Sequence, residues 1–128
     1  MNLEATHGVT HTPPEHDFTA VLADQLEALN YAALNAEDII QIKRLVLDHV
    51  GVCLRGADMP WGLSLTEWAG SFSESGESVV FGTPLRTAPN VAALLNATAA
   101  HGMELDDTHD SSVSHPGAVV IATALAVG

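Results

Sequence analysis

The run from Ala118 to Val127 reads Ala-Val-Val-Ile-Ala-Thr-Ala-Leu-Ala-Val, with Thr123 its single polar side chain. Pro116 suits the first position of a helix, with Ser114 or His115 near the cap. A helix that is apolar on every side must be buried on every side. Such an element belongs inside a bundle. It is far short of the roughly 20 residues that cross a bilayer. The chain ends at Gly128, with no polar face and no cationic last turn on this helix. The run is therefore expected to lie within a larger fold, of which these 128 residues are a truncated piece.

The rest of the chain supplies helices to pack against it. Asp17 or Thr19 to about Asn30 reads as a first helix, with Val21, Leu22, Leu26 and Leu29 on one face. A second helix is capped by Asn35, with Glu37 and Asp38 in the first turn, where the helix dipole favours them. Ile39, Ile42, Val46, His49, Val50 and Cys53 recur along it at helical spacing, and Gly56 is a natural stop. Cys53 and His49 on that face read as packed residues rather than nucleophile and ligand. Pro60 to Phe72 forms a third helix, with Trp61, Leu65 and Trp68 on one side. Ser73 to Gly76 is a turn, and Ser78 to Phe81 a short extended run closed by Gly82 and Pro84. Pro89 opens a fourth helix, Val91 to about Glu104, rich in small side chains that admit a close neighbour. The expected fold is all-α with one short extended segment. Residues 1–16, with Pro13-Pro14 and no periodicity, read as a flexible arm, and its His7, His11 and His16 are too irregularly spaced for a metal site.

Charge narrows the function. Sixteen acids face four bases, Lys43, Arg44, Arg55 and Arg86, for a net charge of −12. That balance argues against DNA, RNA and anionic membrane surfaces. It also leaves little with which to hold an anionic ligand, so either the ligand is not anionic or the cations come from elsewhere. One cysteine excludes an internal disulfide and fits a reducing, cytoplasmic setting. No basic n-region precedes an apolar run at the N-terminus, and no Arg-rich transit segment is present.

Chemistry concentrates between the last two helices. The segment runs His101-Gly-Met-Glu104-Leu-Asp106-Asp107-Thr108-His109, then His115-Pro-Gly117. Burying such groups is costly unless they pair with one another or with a ligand. Histidine beside a carboxylate is common equipment for acid–base work near neutral pH. Residue types alone leave three readings: an acid–base or ligand-binding loop, a metal site, or a plain helix connection with caps and solvated charges. No recognised metal-ligand, phosphate-loop or dinucleotide spacing is present. His101, inside the helical pattern, reads as a packed core histidine.

The order of these features resembles the MmgE/PrpD family, which includes 2-methylcitrate dehydratases and cis-aconitate decarboxylases. The resemblance rests on Ala92-Ala-Leu-Leu-Asn96, Ala100-His101, Leu105-Asp-Asp-Thr-His109 and His115-Pro-Gly117, with Lys43 to Gly56 and Val79 to Gly82 plus Arg86 before them. It covers residues 18 to 128. Glu104 stands where the family often carries Asp, and His109 where the dehydratases tend to carry an aromatic.

The resemblance implies the N-terminal part of a large helical domain, facing a smaller lid domain across the active site. It implies a lyase or isomerase, without metal or organic cofactor, that acts on small di- or tricarboxylates by proton transfer. It assigns His115 to proton transfer or carboxylate contact and Thr108 to a substrate carboxylate. Asp106 or Asp107 would orient a histidine or cap the loop, and Glu104 and Asp106 fall among the substrate-binding positions. Further basic groups lie beyond residue 128 in the family, and the parent enzyme would be a homodimer. The fragment alone is then expected to be inactive. Two rivals remain: a non-catalytic helical fragment that associates through its apolar last helix, and a small metal-binding protein using His109, Asp110 and His115.

Overall fold

A computed structural model describes residues 17–72 and 75–128. The expectations for 1–16 and for Ser73 and Glu74 lie outside the described residues. The chain divides into two compact units, Met1–Asn35 and Ala36–Gly128.

In the first unit, α1 spans Phe18–Ala28. Asp17 caps it, its Oδ1 accepting from the backbone N–H groups of Thr19 and Ala20 at 3.1 Å each. A 3₁₀ turn follows at Tyr31–Ala33. The apolar stripe of α1 forms at the expected spacing, yet no residue of the helix is buried.

The second unit holds α2 (Ala36–Ala57), α3 (Pro60–Phe72), β1 (Ser75–Val79), β2 (Arg86–Thr87), α4 (Pro89–His101) and α5 (Pro116–Val127). Helix α4 is central: it packs on α2, α3 and α5, and against both strands. Burial on α2 concentrates in its second half, at His49, Cys53, Gly56 and Ala57. Gly56 is not the stop that its position suggested, because α2 runs on to Ala57. Its work is close approach. A Cβ there would collide with the backbone carbonyl of Ala99 on α4.

The extended segment is longer than its sequence suggested. Gly76, expected in a turn, lies within β1, which pairs antiparallel with β2 through Ser78 and Thr87 and through Val79 and Arg86. Asn96 ties this hairpin to α4. It is 1% exposed, its Nδ2 donates to Val79 O at 2.9 Å, and its Oδ1 accepts from Phe81 N at 2.9 Å. Ser78 Oγ donates to Ala126 O at 2.7 Å and ties the hairpin to the end of α5. Around these bonds sits a small apolar cluster of Ala69, Val80, Ala92, Leu95 and Ala126.

Helix α4 ends at His101, three residues before the expected Glu104. Gly102 is its C-cap, and Glu104 takes a left-handed φ of 50°, which no helix continues through. Helix α5 begins at Pro116 as expected. Its burial does not follow expectation. Gly117, Ala118, Ala122 and Ala126 are buried, whereas Val119, Val120, Leu125 and Val127 are exposed. The helix packs one side only, through its smallest side chains.

Candidate functional site

The end of α4 and the start of α5 meet at one end of the helix pair. His101 closes α4 and His115 occupies the cap position of α5. The loop between them folds back so that Asp106 enters the gap. The Asp106 side chain is 1% exposed. His101 Nδ1 lies 3.3 Å from both of its oxygens. His115 Nδ1 lies 3.1 Å from Oδ1. That contact is at ion-pair distance but out of line for a hydrogen bond, so the buried Nδ1 of His115 is left without one. The two rings stand edge to face, 4.7 Å apart and inclined by 62°.

Asp107, next in sequence, does different work. Its carboxylate accepts from Gly117 N–H at 3.0 and 3.2 Å. Three or four N–H groups at a helix start lack intrahelical partners, and the dipole there favours negative charge. Asp107 therefore caps α5 from ten residues upstream. Gly117 makes this possible, since a Cβ there would collide with the Asp107 carboxylate.

Below the site, on α2, lies a buried pair. His49 Nε2 is 3.4 Å from Cys53 Sγ, and the thiol donates to Asn96 O at 3.2 Å. Burial pushes the Cys53 thiol up to about 12, helped by the Asp106 charge. A thiol so shielded is a poor nucleophile, which agrees with the packed role read from the sequence. Burial lowers the pKa of His49 despite the opposing pull of Asp107, Asp106 and Asp48. His49 is thus held neutral beneath a pair of aspartates.

The structure separates the residues singled out from sequence. Asp106 and His115 come together, and Asp107 sits beside them on the α5 cap. Thr108 is exposed on the loop, and so is Glu104. Asp106 has almost no surface to offer a ligand. His109, Asp110 and His115 do not assemble as metal donors. His109 Nδ1 instead pairs with Ser112 Oγ at 2.7 Å. The donor group that forms among the described residues is His101, Asp106 and His115, with ligand atoms within 4.8 Å of one another. These are donor types that a divalent transition metal accepts.

Sequence reasoning missed His101. Read as core, it is 47% exposed and shares Asp106 with His115. The available signal was Gly102: a helix that stops there leaves His101 on its last turn, free to turn toward the loop. A cleft of about 300 Å³ opens beside His101, lined by Ala97, Thr98, Gly102, Ala118 and Val119. A larger one, about 340 Å³, lies at the opposite ends of α4 and α5, away from this chemistry.

Residues 20–128 match the MmgE/PrpD N-terminal domain. The chain belongs to the MmgE/PrpD family. Among curated relatives, the cis-aconitate decarboxylase of Mus musculus is 32% identical over 109 residues, 84% of this chain and 22% of that protein. The enzyme of the same name from Homo sapiens is 31% identical over 110 residues, 84% of this chain and 23% of that protein. The cis-aconitate decarboxylase-like protein oryM of Aspergillus oryzae is 29% identical over 113 residues, 88% of this chain and 23% of that protein. The chain thus spans less than a quarter of the length of these relatives. No helix among its described residues is long and apolar enough to cross a membrane.

Proposed function

We propose that this chain forms one wall of the active site of a lyase or isomerase that acts on small di- or tricarboxylates by proton transfer, in the manner of a cis-aconitate decarboxylase. The observation that carries this reading is the pairing of His115 with the buried Asp106 at the meeting of α4 and α5. An imidazole at a helix start, backed by a carboxylate and partly open to solvent, is equipped to take or give a proton. Thr108 and Glu104 are both exposed on the same loop and would meet a substrate there. Thr108 would donate its hydroxyl to a substrate carboxylate, and Asp107 holds the α5 start in place. The MmgE/PrpD match and the likeness to cis-aconitate decarboxylases support the substrate class.

Holding a polycarboxylate needs cations, and this chain has four against sixteen acids. The Lys, Arg or further His groups that complete the site would come from polypeptide outside these residues, in a cytoplasmic, dimeric parent. The test is turnover of cis-aconitate and 2-methylcitrate by the protein in which residues 1–128 are joined to whatever their reading frame encodes next. His115→Asn in that protein should lower kcat by about 100-fold or more, the usual contribution of general acid–base catalysis. Unchanged turnover would remove His115 from the mechanism.

A second reading has its own observation. Val119, Val120, Leu125 and Val127 of α5 are 40–69% exposed, the profile of a helix that associates with another surface. A non-catalytic helical fragment would show such association with no response to a tricarboxylate.

A further inference from the structure

Asp106 sets its carboxyl group in a place that water scarcely reaches, and a buried carboxyl group persists only with partners. Among the described residues, its partners at hydrogen-bond or ion-pair distance are two imidazoles, His101 and His115. No Lys or Arg is among them. The two contacts are unequal. His101 Nδ1 sits 3.3 Å from both oxygens in a forked hydrogen bond. His115 Nδ1 sits closer, at 3.1 Å from Oδ1, but out of line.

We infer that Asp106 is a positioning residue that keeps the proton of both neutral rings on Nδ1, and that His101 is the second functional imidazole of the site. This inference rests on the reading of His115 as the proton-transfer group. The hydrogen bond at one ring nitrogen decides which nitrogen of a neutral imidazole carries the proton. An ionised carboxylate can only accept. A bare Nδ1 at 3.1–3.3 Å would set its lone pair against that of the carboxylate, so each ring brings a proton on Nδ1 and leaves Nε2 bare, hydrogen-bonded in His101 and by charge attraction alone in His115. The Nδ1 of His115 is buried while 23% of its side chain is exposed, so the open edge of the ring is the one that bears Nε2. A bare Nε2 accepts a proton from a substrate carbon or hydroxyl.

The inequality assigns separate work to the two rings. His101 is hydrogen-bonded and anchors the carboxylate from the last turn of α4. His115 makes no hydrogen bond to the carboxylate, so it can turn toward a substrate without stranding Asp106. His49 and Cys53 of α2, on which the Asp106 charge acts, are buried, and Asp107 is committed to Gly117. None of these groups replaces His101 as the anchor.

The experiment is a long-range ¹H–¹⁵N spectrum of the imidazoles in the uniformly ¹⁵N-labelled 128-residue chain, recorded at a pH where the rings are neutral. Free imidazole side chains in water favour the proton on Nε2, so the expected result is distinctive: both His101 and His115 carry it on Nδ1. In Asp106→Asn the amide both donates and accepts, and at least one of the two rings should move its proton to Nε2. Either ring with its proton on Nε2 in the unsubstituted chain overturns the inference, and this spectrum decides even if Asp106→Asn does not fold. Unchanged protonation sites in a folded Asp106→Asn also overturn it. Turnover by the longer protein is read separately, so failure here is distinct from failure of the proposed function.

Discussion

Helices α4 and α5 are built from nearly the same alphabet, yet they meet their surroundings differently. Helix α4 buries Ala92, Leu95, Asn96, Ala99 and Ala100 and touches α2, α3, α5 and both strands. Its small residues serve close approach on several sides, and its one buried polar side chain, Asn96, is fully bonded to the hairpin. Helix α5 buries only Gly117, Ala118, Ala122 and Ala126, at nearly regular fourth positions, half-buries Ile121 and leaves Val119, Val120, Leu125 and Val127 in solvent. Small residues therefore mark the seam on both helices. The large apolar residues of α4 divide, Leu95 into the core and Leu94 to the outside, whereas Val119, Val120, Leu125 and Val127 of α5 are all exposed. An apolar groove of about 260 Å³, with Ile42, Leu45 and Val46 of α2 on one wall and Val120, Ile121, Ala124 and Leu125 on the other, continues that outside.

If the seam is as tight as this contrast requires, enlarging it should cost most. Ala122, 0% exposed, has no room for a larger side chain. Ala122→Leu is expected to destabilise the chain by about 3 kcal/mol, the upper part of the range for overpacking. Chemical denaturation followed by circular dichroism measures this, and a neutral outcome would break the comparison.

A smaller effect is expected where α5 begins. Asp107→Ala removes the acceptor for Gly117 N–H and should cost about 1 kcal/mol, the usual worth of a helix cap. Asp107→Asn keeps an acceptor and should recover most of it. Equal losses in the two variants would show that the cap is not what Asp107 provides.

The smallest effect on stability belongs to the exposed side of α5. Val119→Ser with Val120→Ser should change stability by no more than about 0.5 kcal/mol per site. The same pair should reduce any self-association seen by sedimentation. A large loss of stability would mean that this side is packed after all.

The contrast also shows what was legible in the sequence. Helix positions followed from local chemistry: a start near Asp17 or Thr19, Pro60, Pro89 and Pro116 at helix starts, and the spacing along α2. The side on which α5 is buried was not legible, because periodicity carries no information when all positions are apolar. Gly56 looked like a stop because glycine serves both as a helix terminator and as a site of close approach, and only the position of Ala99 distinguishes the two. The second strand at Arg86–Thr87 is too short to leave a pattern. At the site, the loop was legible as a concentration of acids and histidines, and the match to the MmgE/PrpD N-terminal domain bears out the family resemblance read from it. The division of labour between Asp106 and Asp107 was not. Adjacent residues of one type differ only in what the fold sets opposite them, imidazoles for one and a helix N-terminus for the other. His101 was hidden for a similar reason: its exposure depends on α4 stopping at Gly102.

The central claim is that these residues supply the proton-transfer side of a site whose carboxylate-holding cations lie elsewhere. It is tested most directly by incubating the highly purified 128-residue chain with cis-aconitate and following substrate loss and CO₂ release. The account predicts no turnover above the uncatalysed rate. Sustained turnover that follows the protein through purification would contradict it, for the acids and histidines described here would then be sufficient on their own.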